Sequence, residues 1–118
     1  MKSPSGSLFP EVITSLPEAE IPFKGAKAWI LQSETKQLVF FDFEANLKLP
    51  EHSHNYAQWG MVVDGKMEMT IAGNARVFSK GDEYLVPAEA LHSAKFIEKT
   101  RLVDLFSEKS RYKPKSVK

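Results

Sequence analysis

Cysteine is absent from the 118 residues. That excludes disulfides, thiolate metal ligands and a cysteine nucleophile, and it fits a reducing compartment. No apolar run reaches membrane-spanning length, and Met1 to Ser7 carry no signal-peptide core. The expected location is the cytoplasm, with no membrane partner. Excess charge is also missing: 16 Lys+Arg face 15 Asp+Glu, so no nucleic-acid partner is implied. Only the last ten residues depart from that balance. Lys109, Arg111, Lys113, Lys115 and Lys118 form a basic C-terminal tail over 109–118, read as a solvated terminus. Histidine is scarce, with His52, His54 and His92 the whole supply.

Sustained helical periodicity is lacking too. From residue 26 to 107 short apolar runs alternate with turn residues, at 28–32, 37–44, 59–63, 66–72, 75–79, 84–86, 93–97 and 101–107. Lys66 to Ile71 alternates polar and apolar, so Met67, Met69 and Ile71 share a face. Asp64-Gly65 and Gly73-Asn74 each separate two such runs, which predicts hairpins. Residues 1–22 carry Pro4, Pro10, Pro17 and Pro22 and read as an extended N-terminal arm. The chain is expected to be one all-β domain of antiparallel strands, a sandwich or barrel over 23–108. A chain of this length buries about two-thirds of its unfolded surface.

What is present is concentrated around the histidines. Neutral imidazole is the commonest metal ligand near physiological pH. Alternate residues of a strand point to one face, so His52 and His54 aim at one point. Gln58 follows a few residues later with an amide oxygen able to join them. His92 lies in a second patterned stretch, Gly81…Pro87…His92. Three neutral rings and a neutral amide leave the full charge on a divalent ion. Such a site is a strong Lewis acid that attracts an anionic oxygen.

Read together, His52-x-His54-x3-Gln58-x6-Gly65 and Gly81-x5-Pro87-x4-His92 resemble the two motifs of the cupin superfamily. In that pattern Asn46 and Pro50 occupy the region of a leading glycine, Gln58 replaces a glutamate, Glu89 a glycine and Phe96 an asparagine. The resemblance implies a cupin-type double-stranded β-helix, a jelly-roll barrel. It also implies that His92 joins His52, His54 and Gln58 at the barrel mouth around one divalent transition metal ion, Zn, Ni, Mn, Fe or Cu. A glycine is expected at 65 and 81 because turns between strands need positive φ.

A narrower resemblance concerns the reaction. Gln58-Trp-Gly60-Met-Val62-Val-Asp-Gly65 and Asp104-Leu-Phe106-Ser107 are similar to segments of the pectin-degradation cupins, which convert unsaturated uronates into linear keto sugars. That likeness implies Phe106 and a following arginine, here Arg111, as substrate-binding residues. From the residues themselves, Asp104 shares a strand face with Leu102 and Phe106. If that face lines the barrel, burial raises the carboxyl pKa and suits proton transfer near neutral pH. If it faces outward, Asp104 pairs with Arg101 or a lysine. Tyr56, between the ligands, is the aromatic best placed to touch a small-molecule ligand.

Three functions follow from different classes. The first is a metal-dependent isomerase or lyase acting on a small, carboxylated molecule such as a sugar acid, with Asp104 as acid/base. The second is a dioxygenase using iron or copper, favoured by a purely apolar pocket. The third is a non-catalytic cupin that binds or senses a small ligand. A homodimer is expected, with the arm free to add a strand to the partner sheet.

Overall fold

Strict alternation of burial along two adjacent central strands creates the inside of this protein. The computed structural model describes residues 8–115. Pro4 with the rest of the first seven residues, and Lys118 of the basic tail, lie outside the described residues. Nine strands follow a single helical turn, α1 (Glu11–Thr14). They are β1 (Ala26–Gln32), β2 (Gln37–Phe43), β3 (Lys48–His52), β4 (Gln58–Asp64), β5 (Lys66–Ile71), β6 (Asn74–Ser79), β7 (Glu83–Val86), β8 (His92–Phe96) and β9 (Thr100–Phe106). All pairings are antiparallel. One sheet runs β1-β2-β9-β4-β7 and the other β3-β8-β5-β6.

Gln37, Val39, Phe41 and Phe43 of β2 point inward, as do Thr100, Leu102, Asp104 and Phe106 of β9. The facing sheet answers with Met67, Met69, Ala94 and Phe96. Phe43 stacks on Phe96 across the two sheets at 4.1 Å between ring centroids. Each large apolar side chain so buried contributes about 1.5–3 kcal/mol. Those inner faces close a barrel-like sandwich, as the period-two patterning predicted.

Two turn expectations change. Asp64-Gly65 is no hairpin, because β4 and β5 belong to different sheets. Gly65 (φ +99°) carries the chain between them, where a Cβ would collide with the Lys99 carbonyl. The second hairpin is real, but its two-residue turn is Ala72-Gly73, at φ 50° and 84°, with Ile71 opposite Asn74. Strand β3 was anticipated only at His52, and it runs back to Lys48 and stops before His54. It is an edge strand containing Pro50, which suits a position whose N–H needs no ladder partner.

The arm and the tail also differ from their expectations. The arm pairs with β1 of its own chain. Ile30 N–H donates to Pro17 O and Ala19 N–H to Ala28 O, each at 2.8 Å. On the arm's other side, Glu20 N–H reaches Lys113 O at 2.7 Å and Lys115 N–H reaches Glu18 O at 2.8 Å. The basic segment therefore folds back, and the β1 edge is covered. Among the described residues no helix is long and apolar enough to cross a membrane.

Candidate metal centre

The first motif reaches its geometry through an interruption. The β3–β8 register shifts between Leu49 and His52, where Pro50 sits, and His52 then pairs directly with His92. Such an irregularity re-aims side chains. It leaves the His52 and His92 rings 4.1 Å apart between centroids. His54 does not continue the strand as the alternation predicted. It lies in the loop before β4, stacked on Tyr56 at 4.2 Å. Its carbonyl accepts from Glu89 N–H at 2.7 Å. Glu89 holds φ +70° and Asn46 φ +71°. At both positions the family pattern has or neighbours a glycine, so the left-handed backbone persists without one.

One ring nitrogen from each histidine lies within 4.8 Å of the others. Each Nδ1 meets a carbonyl two residues away: His52 with Pro50 at 2.9 Å, His54 with Tyr56 at 2.8 Å and His92 with Ala90 at 2.9 Å. Those bonds assign the proton of each neutral ring to Nδ1 and leave Nε2 as a lone-pair donor. Burial pushes the His92 pKa below its ordinary value, which keeps the ring neutral. Gln58, the first residue of β4, is buried, and its Oε1 stands 3.1 Å from His54 Nε2. With the proton on Nδ1, His54 Nε2 and Gln58 Oε1 are two adjacent lone-pair donors able to bind one cation together. The donor set therefore fits a divalent ion of the nitrogen- and oxygen-binding class.

Behind Gln58 lies Asp104. It faces inward, away from Arg101, which pairs with Asp64 at 3.7 Å. Tyr84 donates its hydroxyl to Asp104 Oδ1 at 2.7 Å. Burial raises the Asp104 pKa to about 7, opposed by hydrogen bonds from Tyr84 and Gln58. Gln58 thus turns its amide donor to the carboxylate and its carbonyl to the histidines. Gly60 makes the pairing possible, since a Cβ there would collide with both Asp104 Oδ1 and the Tyr84 ring.

The site opens on a cavity of about 210 Å³, lined by His52, Gln58, His92, Asp104, Phe106 and Arg111 among others. A liquid water occupies about 30 Å³, so the space admits a small molecule. Arg111 lies over Phe106 and Tyr112, its carbon Cζ 5.6 and 4.8 Å from the ring centroids, and its Nε is buried without a partner. Tyr56 is not among the cavity-lining residues; it stacks on His54, meets the Phe106 ring edge-on at 6.4 Å and bonds the Arg111 side chain. Sequence reasoning missed Tyr84 and Tyr112. Tyr84 was legible only as a strand residue, and Tyr112 carried only the signal of an aromatic set among basic residues.

A two-sheet β-barrel with three histidines and a glutamine at one end defines the class. A family model described as "Cupin domain" matches residues 39–106, more than half of the chain; the chain belongs to the cupin family. Solved structures agree. KdgF from Halomonas sp. is 27% identical with a TM-score of 0.71, over 76% of this chain and 86% of that one. An RmlC-like cupin from Shewanella frigidimarina NCIMB 400 is 24% identical with a TM-score of 0.76, over 89% and 94%. A variant of oxalate decarboxylase from Bacillus subtilis shares the fold at 20% identity and a TM-score of 0.72, over 83% of this chain and 29% of its own. No curated protein matches by sequence.

Proposed function

We propose that this cupin is a metal-dependent enzyme that moves a proton on a small carboxylated molecule, in isomerase or lyase chemistry of the kind that linearises unsaturated uronates. The observation that carries this reading is the buried Asp104 carboxyl, poised near pH 7 on the cavity wall and joined through Gln58 to the histidine centre. His52, His54, His92 and Gln58 would hold one divalent transition ion, which supplies Lewis acidity toward a substrate oxygen. Asp104 takes or gives the proton on its carboxyl, at a pKa matched to neutral pH. Arg111 takes the substrate carboxylate, and Phe106 shapes the wall beside it. Likeness to KdgF from Halomonas sp. supports the same reading.

The oxygenase alternative rests on a purely apolar pocket, and Asp104 and Arg111 in the wall weigh against it. Turnover of an unsaturated uronate by the wild type, with loss of activity in both His54→Ala and Asp104→Asn, is the expected result. Retained turnover in Asp104→Asn would remove the proton-transfer role. A homodimer belongs to the same proposal. Leu85, Trp59, Leu105, Leu38 and Leu31 form one register row across the outer face of the five-stranded sheet. A monomeric mass in dilute solution would contradict it.

A further inference from the structure

Gln37 is a fully buried polar residue at the start of β2, remote from the histidines in sequence, and it has no part in the chemistry above. Its side chain holds the C-terminal segment. Gln37 Nε2 donates to Tyr112 O at 2.8 Å and to Gln32 Oε1 at 2.9 Å. In return, Tyr112 N–H donates to Gln37 Oε1 at 2.9 Å. The N–H so held belongs to the peptide that directly follows the Arg111 Cα. The amide therefore clamps the backbone from which Arg111 springs.

Other contacts complete the fastening. Gln32 Nε2 donates to Lys109 O at 2.8 Å, while Glu18 and Glu20 of the arm bond the backbone at Lys115 and Lys113. Tyr112 wedges its ring edge-on against Phe41 at 5.5 Å and Phe106 at 5.7 Å. Phe106 of β9 lies under the Arg111 guanidinium, but the backbone that bears Arg111 is not held by the strand, because the chain has left the sheet by Ser107.

The geometry points to Gln37 as a positioning residue that gives this cavity its preference for an anionic ligand, by holding the Tyr112 peptide so that Arg111 faces in. The inference rests on the reading of a carboxylated substrate given above. An arginine on an unfastened segment must be ordered at each binding event, and that ordering weakens binding of the carboxylate alone. A neutral ligand gains no charge pairing from Arg111. Gln37 thus acts on discrimination, through another residue, without touching the ligand.

The test uses the full chain with D-galacturonate and D-galactose as probes, measured by calorimetry, and zinc uptake per chain as a check on the histidine centre. Wild type should prefer galacturonate by about tenfold or more, the scale of one charge-assisted contact. Gln37→Met should lose most of that preference while galactose affinity and zinc uptake stay unchanged. Arg111→Ala should lose it as well, and the double variant should lose no more than Arg111→Ala alone, since the two act as one unit. Should Gln37→Met fail to fold, Gln37→Glu carries the test. It keeps the acceptor for Tyr112 N–H, loses the donor to Tyr112 O, and should show an intermediate preference. A preference unchanged in the folded Gln37 variant, or additive losses in the double variant, overturns the role of Gln37 and leaves the carboxylate reading standing. A wild type that does not distinguish the two sugars overturns both.

Discussion

Tyr84 and Asp104 meet inside the barrel, hydroxyl to Oδ1 at 2.7 Å, across a strand position where only glycine fits. This pair sets the state of the one buried carboxyl on the cavity wall. The phenol stabilises the ionised form, burial opposes it, and burial wins. Tyr84 itself is held well above the ordinary tyrosine range by burial and by the neighbouring carboxylate, so it remains a donor at any working pH.

Replacing Tyr84 by Phe removes a bond that lowers the Asp104 pKa. The carboxyl then titrates above its present value of about 7. A titration of the metal-free protein followed by NMR of the Asp104 carboxyl should show the midpoint moving up. A midpoint that stays or falls would show that the phenol does not support the ionised form.

Asp104→Asn should stabilise the metal-free protein at alkaline pH. A carboxyl whose folded pKa exceeds its unfolded value binds its proton more tightly in the native state. Its contribution is complete below about pH 4 and declines as pH rises toward 7. The rise from 3.8 to about 7 corresponds to about 4 kcal/mol as an upper bound. Urea unfolding at pH 5 and pH 8 should show a smaller pH dependence in the variant, with a gain at pH 8 of about 2–4 kcal/mol. Parallel pH profiles for the two proteins would contradict this.

Gly60→Ala places a methyl against both members of the pair. Overpacking of this kind costs about 1–3 kcal/mol, and here it also separates a buried hydrogen bond. A lowered thermal midpoint together with an altered Asp104 titration is the expected result. A variant as stable as wild type would mean that the strands part freely at this point.

Gln58→Glu puts a second carboxyl between Asp104 and the histidines. Its negative charge should tighten divalent-ion binding by about tenfold or more. The same charge should raise the Asp104 pKa further, since adjacent carboxylates resist joint ionisation. Competition with a coloured chelator reads the first effect and carboxyl NMR the second. Weaker metal binding in the variant would count against Gln58 as part of the centre.

Much of this was legible from residue order. Alternation in Lys66–Ile71 and in 101–107 showed which residues share a face, and the structure turns Met67 and Met69, and Leu102, Asp104 and Phe106, inward. Three histidines in two spaced motifs marked the candidate centre, and Asp104 stood out by sharing a face with Leu102 and Phe106. The extent of strand β3 did not show, because Lys48–His52 has one proline and no apolar alternation; it is made a strand by β8 beside it. Asp64-Gly65 looked like a hairpin because local signals cannot tell a turn within a sheet from a passage between sheets.

Patterning thus determined the class of fold and marked the candidate centre, since side-chain periodicity and ligand type are local properties of the chain. Only the tertiary structure decided that His54 leaves the strand, that Tyr84 and Gln58 share Asp104, and that Gln37 fastens the segment bearing Arg111. Those relations join residues as many as 75 positions apart. They arise from buried polar groups finding partners once the sheets have closed, and no local pattern in the sequence encodes which partner each will find.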